Sequence, residues 1–413
     1  MSFANQRNIL IHDQLGNLYN FRWNDGKIIF TYFDKYLKKF DEDILVEDCT
    51  LEFDAGIDEQ DQVYFVYQRE DGKMVLMSCM NGFWHKNLLG GSNILKIFNL
   101  NMVVHNQKVH IIYCVPANEN DMVYRIYHHY YDEQEWKSIV LQDIQRKNLL
   151  NPFQIIKNGN KLIIGFYDLI NDQEQIYIKE FDTKNIQWED TIQLTLSSSN
   201  KLYLDIFMEN SQIIHLTYSE YFEGNLVIKY EKYKLENNKA IKILEKILSN
   251  PSNCSYPTFI KCKDKLWNVW TEYDQIVSSF TIDDGLNWNG PYLWKKSKEE
   301  NFFRYKFITN DENVNMNYQF NHAFGKGYPE FSLIGFGMLE EAVKIPLKSI
   351  KKKEEEYIVE VKEASENKTN NEEVYLREIE RLQENIKNLE ERVSNIEEYL
   401  KRRRRGILFP IKK

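Results

Sequence analysis

His12-Asp13-Gln14-Leu15-Gly16-Asn17-Leu18-Tyr19 aligns without a gap on Ile57-Asp58-Glu59-Gln60-Asp61-Gln62-Val63-Tyr64. After one residue of slip, Asn24-Asp25-Gly26-Lys27 aligns on Glu70-Asp71-Gly72-Lys73. Each copy reads as a polar turn, a β-rich run and a tight hairpin turn with Gly where a positive φ is wanted. The pattern continues along the chain. β-Rich runs ending on an aromatic recur at 18–23, 63–67, 109–113, 162–167, 213–218, 266–270 and 314–318. Their last residues lie 44, 46, 54, 51, 52 and 48 positions apart.

A period of roughly 50 residues with several strands per unit is what a β-propeller blade requires. The expected fold is all-β: a seven-bladed β-propeller over residues 1–339, with six or eight blades as alternatives. Composition agrees, because 26 Tyr and 24 Phe suit pleated, half-buried surfaces, while 8 Pro and 17 Gly are too few for a loop-rich chain. Two unrelated β-sandwiches would also supply short strands and frequent turns, but they have no reason to repeat seven times.

Thr281-Ile282-Asp283-Asp284-Gly285-Leu286-Asn287-Trp288 resembles the Asp-box of sialidase-like propellers, with Thr281, Asp283, Gly285 and Trp288 at the matching positions. The spacing suits a hairpin turn. Asp283 accepts turn amides, Gly285 takes the unusual backbone angle, and Trp288 pins the loop onto its blade. The stretches 131–136 and 181–188 look like decayed relatives. The resemblance implies fold and a structural role for the box, away from the ligand face. It does not bring the sialidase residue set, because that chemistry clamps a carboxylate with three arginines. The propeller region holds only Arg7, Arg22, Arg69, Arg125, Arg146 and Arg304, with no Phe-Arg-Ile-Pro stretch near the start.

No other catalytic pattern stands out. Eight His are spread over the repeats, and the adjacent His128 and His129 should point to opposite faces of a strand, which argues against a joint metal site. Gly-x-Ser-x-Gly, His-Glu-x-x-His and Walker-type loops do not occur. Asp58, Glu59 and Glu220 fall in turns or at strand ends and read as solvated. Carboxylates converging from different blades on the central funnel are the one arrangement a single sequence leaves open. The expectation is a protein that is not an enzyme, with no cofactor and no metal.

The five cysteines, Cys49, Cys79, Cys114, Cys254 and Cys262, lack CxxC spacing and read as reduced and mostly buried. The first residues contain no apolar signal region, and no stretch is apolar enough to span a membrane. A cytoplasmic protein is expected, and export by a signal-independent route to a surface structure is compatible with the sequence.

Composition changes after residue 339. Residues 340–373 form a charged linker, within which 342–347 or 357–361 is expected to supply a blade-closing strand. Over 374–405 a heptad pattern appears: Ile379, Ile386, Val393 and Leu400 at a, with Leu382, Leu389 and Ile396 at d. Such 3-4-3-4 alternation specifies a coiled coil. Arg392-Val393-Ser394-Asn395-Ile396-Glu397 resembles a trimer signature in which Arg392 packs over the core towards Glu397 of a neighbouring helix. A homotrimer is expected, with a dimer as the alternative. Residues 406–413 form a tail preceded by Lys401, Arg402, Arg403, Arg404 and Arg405. That cationic run can dock an anionic membrane, nucleic acid or acidic protein. A net charge of −9 argues against general nucleic-acid binding.

The functional expectation is a non-catalytic binding or scaffold protein, displaying propeller heads multivalently on an oligomeric stalk and binding a protein or glycan. A lectin-like propeller is the alternative, and a glycoside-acting enzyme the third possibility.

Overall fold

A computed structural model describes residues 7–348 except 81, 91–95, 118–121, 132–134, 147–149, 210–211, 300 and 328–330. The expected coiled coil, the basic tail and the strand at 357–361 lie outside the described residues.

Six of the seven runs found by repeat become strands, each the second strand of its unit. The first sheet is Asn8–His12, Leu18–Asn24, Lys27–Asp34 and Lys39–Val46. The second is Cys49–Ile57, Val63–Arg69, Met74–Met80 and Phe83–Leu89. Four further antiparallel sheets repeat this order, with inner strands Phe98–His105, Phe153–Asn158, Lys201–Met208 and Cys254–Cys262. The equivalence of the first two units extends to atoms. Asp13 accepts from Asn17 N–H and the Tyr19 hydroxyl, as Asp58 does from Gln62 N–H and the Tyr64 hydroxyl. Asp25 and Gly26 take φ 48° and 78°, the left-handed pair a tight hairpin needs.

Burial explains the sequence pattern. Second strands such as Lys161–Ile170 and Lys265–Glu272 are buried on consecutive residues rather than alternate ones, because each lies between two neighbouring sheets. Outermost strands such as Lys239–Ile247 are mostly exposed and rich in Lys and Glu, which discourages edge pairing. Six apolar clusters fill the gaps between successive units, the last joining the sixth sheet to the seventh unit. The inner strands follow one another around a central cavity, so the sheets are arranged as propeller blades.

Two expectations change in the seventh unit. Residues 314–318 do not form a second strand: Glu312–Asn317 is a short helix, capped by Asp311 accepting from Asn313 and Val314 N–H. A strong cap overrides the weak β preference of a run holding two Asn. The unit therefore reduces to Phe303–Thr309, His322–Lys326 and Ser332–Ile334, and forms no separate sheet. Its first strand pairs in parallel with Asn8–His12 of the first sheet, from Asn8↔Tyr305 to His12↔Thr309. The described sheets thus number six. The second change concerns closure. The strand Ala342–Lys344 does not complete the seventh unit but pairs with Asn289–Trp294 on the outer edge of the sixth sheet.

The Thr281–Trp288 turn joins Gln275–Thr281 to Asn289–Trp294. Asp283 Oδ1 accepts from the Thr281 hydroxyl and Asn287 N–H, each at 2.8 Å, and Thr281 Oγ1 accepts from Gly285 N–H at 3.0 Å. Gly285 has φ +88°, and a Cβ there would collide with the Tyr230 hydroxyl. Trp288 packs on Tyr230 of the fifth sheet, not on its own sheet, with centroids 4.9 Å apart. Trp188 and Trp84 behave alike, donating to His128 of the third sheet and packing edge-on to Phe21 of the first. These tryptophans tie each even-numbered sheet to the one before it.

Candidate functional site in the central cavity

A cavity of about 990 Å³ runs along the inner strands of all seven units. Its wall is shaped by bulges. In the third, fifth and sixth sheets the inner strand sets two residues opposite one on its partner, at Asn99-Leu100, Tyr203-Leu204 and Tyr256-Pro257. The residue opposite each bulge is the aromatic that ends a repeated run: Tyr113, Tyr218 and Trp270, all buried. Asn151 holds the corresponding place just ahead of the fourth inner strand. All four bulge residues have left-handed φ: 56° at Asn99, 49° at Asn151, 55° at Tyr203 and 53° at Tyr256.

Asn tolerates that conformation; Tyr does so only under strain. The asparagines bridge sheets, Asn99 Nδ2 donating to Phe153 O and Asn151 Nδ2 to Leu204 O. The tyrosines instead meet each other with ring centroids 4.2 Å apart, and the Arg304 guanidinium lies 5.8 Å over the Tyr256 ring. Strain held at cavity-lining residues marks a functional surface.

Carboxylates do reach the cavity wall, but two of them staple strands. Leu100 N–H donates to Glu52 Oε2 at 2.7 Å and Met102 N–H to Asp54 Oδ2 at 2.6 Å. Behind the wall, Phe259 N–H donates to Asp205 Oδ2 at 2.6 Å. Each satisfies an inner-edge amide that no β-ladder supplies. Arg7 and Lys306 then pair with Glu52 and Asp54. Burial raises the Asp205 carboxyl to about 6, the Phe259 amide and Gln154 opposing the rise.

Other groups on the wall have no such partners. Lys306 and His322 face each other across adjacent strands, and Arg304 is two residues from Lys306, so strand alternation puts all three on one face. Arg304 Nε, His322 Nδ1 and Gln154 Oε1 are buried and have no hydrogen-bond partner among the described residues. Burial, followed by the charges of Arg304, Lys306 and Arg7, holds His322 well below the ordinary histidine range, so its ring is neutral.

The remaining residues singled out from the sequence lie elsewhere. Arg22, Arg69 and Arg125 pair with Glu42, Asp48 and Asp143 on outer surfaces, and Arg146 is buried over Tyr167. His128 is buried towards His110, while His129 Nε2 meets the Tyr113 hydroxyl. Asp58 and Glu220 are buried rather than solvated, Glu220 because Lys229 pairs with it at 3.0 Å. The cysteines are free, three of the five buried. Among the described residues no group of His, Cys, Asp or Glu could hold a metal ion, and no helix is long and apolar enough to cross a membrane.

No protein-family model matches the chain, and no curated protein does. Solved structures resemble it in fold. An ulvan lyase of polysaccharide lyase family PL25, bound to -[GlcA(1-4)Rha3S]-, shares 9% identity at a TM-score of 0.51, over 74% of this chain and 88% of that one. Polysaccharide lyase Uly1 shares 10% identity at a TM-score of 0.48, over 70% and 81% of the two chains. The Aleuria aurantia lectin in complex with Fucalpha1-6GlcNAc shares 10% identity at 0.41, over 69% and 94%. What the ulvan lyase and this chain have in common is a β-propeller-type fold. The expectation that the chain is not an enzyme is overturned, because this fold carries polysaccharide cleavage in a structural neighbour.

Proposed function

We propose that the central cavity recognises a saccharide. The observation that carries this reading is that Arg304 Nε, His322 Nδ1 and Gln154 Oε1, three buried polar atoms without partners among the described residues, belong to one cavity wall with the closely packed, tilted rings of Tyr203 and Tyr256. Leaving such atoms unsatisfied costs about 1–3 kcal/mol each, a cost a bound polar ligand removes. A sugar ring offers apolar C–H faces for aromatic rings and hydroxyls for polar atoms, which matches a lining that mixes the two kinds of side chain. The same set has acid–base capacity: a neutral imidazole can accept a proton, tyrosine hydroxyls can donate one, and Arg304 can stabilise negative charge. Cleavage of the bound glycan is therefore part of the reading, and the polysaccharide lyase fold neighbour supports it. A glycan array followed by product analysis on bound glycans tests it. Binding should be lost in Tyr256→Ala and kept in a variant of an outer strand; binding that survives Tyr256→Ala rejects the cavity as the site.

The heptad residues at 379–400 support a second layer, oligomeric display of these heads, favouring a homotrimer over a dimer. Multivalency would turn a weak single-site affinity into tight attachment to a repeating polymer. The cationic run at 401–405 would add a docking point for an anionic partner.

A further inference from the structure

The chain as a whole is acidic, at −9, but its cavity is not. Five cations line the wall, Arg7, Lys96, Lys157, Arg304 and Lys306, against the two carboxylates of Glu52 and Asp54. Those carboxylates are already occupied by Arg7 and Lys306 and by the backbone amides they staple. Lys157 pairs with Glu59 at one end of the cavity. Arg304 and Lys96 have no carboxylate within ion-pair distance among the described residues, each resting instead over an aromatic ring.

Arg304 is the informative one. The side chain is half-buried, and burial lowers its pKa against the opposing charge of the Asp205 carboxyl behind the wall, yet an arginine stays charged at any physiological pH. Asp205 is not within ion-pair distance, so the buried Nε keeps an unused donor that a bound anion would complete. Its polar companions on the same face are Lys306 and His322, and His322 is kept neutral first by burial and then by the charges of Arg304, Lys306 and Arg7. Gln154 contributes a bare acceptor oxygen for a hydroxyl. One cation, one imidazole nitrogen and one acceptor, next to two aromatic rings, match a sugar that bears an acid.

We infer that the cavity selects an anionic saccharide unit, its carboxylate or sulfate held by Arg304 and its ring against Tyr203 and Tyr256. The inference rests on the saccharide reading above and narrows its ligand class. Low-dielectric walls focus the excess positive charge inwards, so an acidic residue of a glycan is drawn to Arg304 while the acidic exterior repels misplaced polyanion.

Titration calorimetry on the full-length protein tests this with matched probes: uronate oligosaccharides, their carboxyl-reduced neutral counterparts, sulfated oligosaccharides, and free glucuronate, acetate and sulfate. An acidic oligosaccharide should bind at least about tenfold more tightly than its neutral counterpart, the effect of one charge-assisted hydrogen bond. The uronate and sulfate arms identify which acid is preferred. In Arg304→Gln that preference should fall to near unity, and Arg304→Lys should retain part of it, because charge survives without the planar fork. Thermal melts of both variants show whether they fold. Should a variant fail to fold, competition by free glucuronate or sulfate against the bound oligosaccharide on the unmodified protein decides the same question. Equal affinity for acidic and neutral forms overturns the charge inference and leaves the saccharide reading standing. Binding of small anions without any oligosaccharide overturns the saccharide reading, and no binding by any probe overturns both.

Discussion

Tyr203 and Tyr256 occupy equivalent bulges of successive sheets, and their rings meet at a tilt of 37° with centroids 4.2 Å apart while both backbones hold the left-handed region. Two earlier units fill the same position with Asn99 and Asn151, whose backbone accepts that angle readily. Tyr203→Asn should therefore relieve about 1 kcal/mol of strain and leave the melting temperature unchanged or raised. Saccharide affinity should meanwhile fall by about tenfold or more, since half of the aromatic platform is gone. A large drop in melting temperature with binding intact would show that the tyrosines serve packing and not recognition.

Gly285→Val should destabilise the protein by about 1–3 kcal/mol, because the Tyr230 hydroxyl occupies the space and φ is +88°. Chemical denaturation measures the loss. Ligand binding assayed well below the melting temperature should persist, since the turn lies between the outer strands of the sixth sheet. Lost binding in a fully stable variant would move the turn into the site.

Asp205 gives a pH signature. Its folded carboxyl titrates near 6 against an ordinary 3.8, so between those values the folded chain keeps a proton that the unfolded chain releases. Stability contributed by the protonated form is present at low pH and lost as pH rises through about 6. Asp205→Asn should remove this component, worth at most about 3 kcal/mol at neutral pH, and so flatten stability between about pH 4 and 7. Denaturant melts of both proteins across that range supply the comparison, and identical pH slopes would contradict the assignment.

Full-length protein should scatter light as a trimer, or as a dimer, and a chain ending at residue 348 as a monomer. Asp at both Ile386 and Leu389 should dissociate the assembly by burying charge at a and d positions. A monomeric full-length protein at micromolar concentration would remove the stalk from the account.

Much of the fold was legible because each second strand is sandwiched between sheets, giving an unbroken apolar run such as Leu162–Tyr167 at a fixed period. The aromatic closing several of these runs has a structural cause invisible in the sequence alone: it fills the space facing a bulge. The seventh unit departs from the repeat because Asp311, just ahead of the run at 314–318, caps a helix there. The cavity residues were harder to find. Arg304 and His322 lie on neighbouring strands of the seventh unit and Gln154 on the fourth inner strand, and only the folded ring puts all three on one cavity wall. One signal was available, since Asn99, Asn151, Tyr203 and Tyr256 recur 52, 52 and 53 residues apart, at the period of the repeat itself.

The parallel ladder between Asn8–His12 and Phe303–Thr309 carries a consequence for how this chain can evolve and open. A linear stack of repeats can lose or duplicate a member while every surviving interface is kept. Here the first and last members are hydrogen-bonded partners, so an inserted or deleted unit would have to re-form that ladder at a new circumference. Unit number is thereby locked in, while individual loops stay free to vary. The same ladder couples opening at opposite ends of the sequence. Exchange of the Asn8–His12 amides with solvent should accordingly track the opening of the whole ring and not the fraying of a single strand.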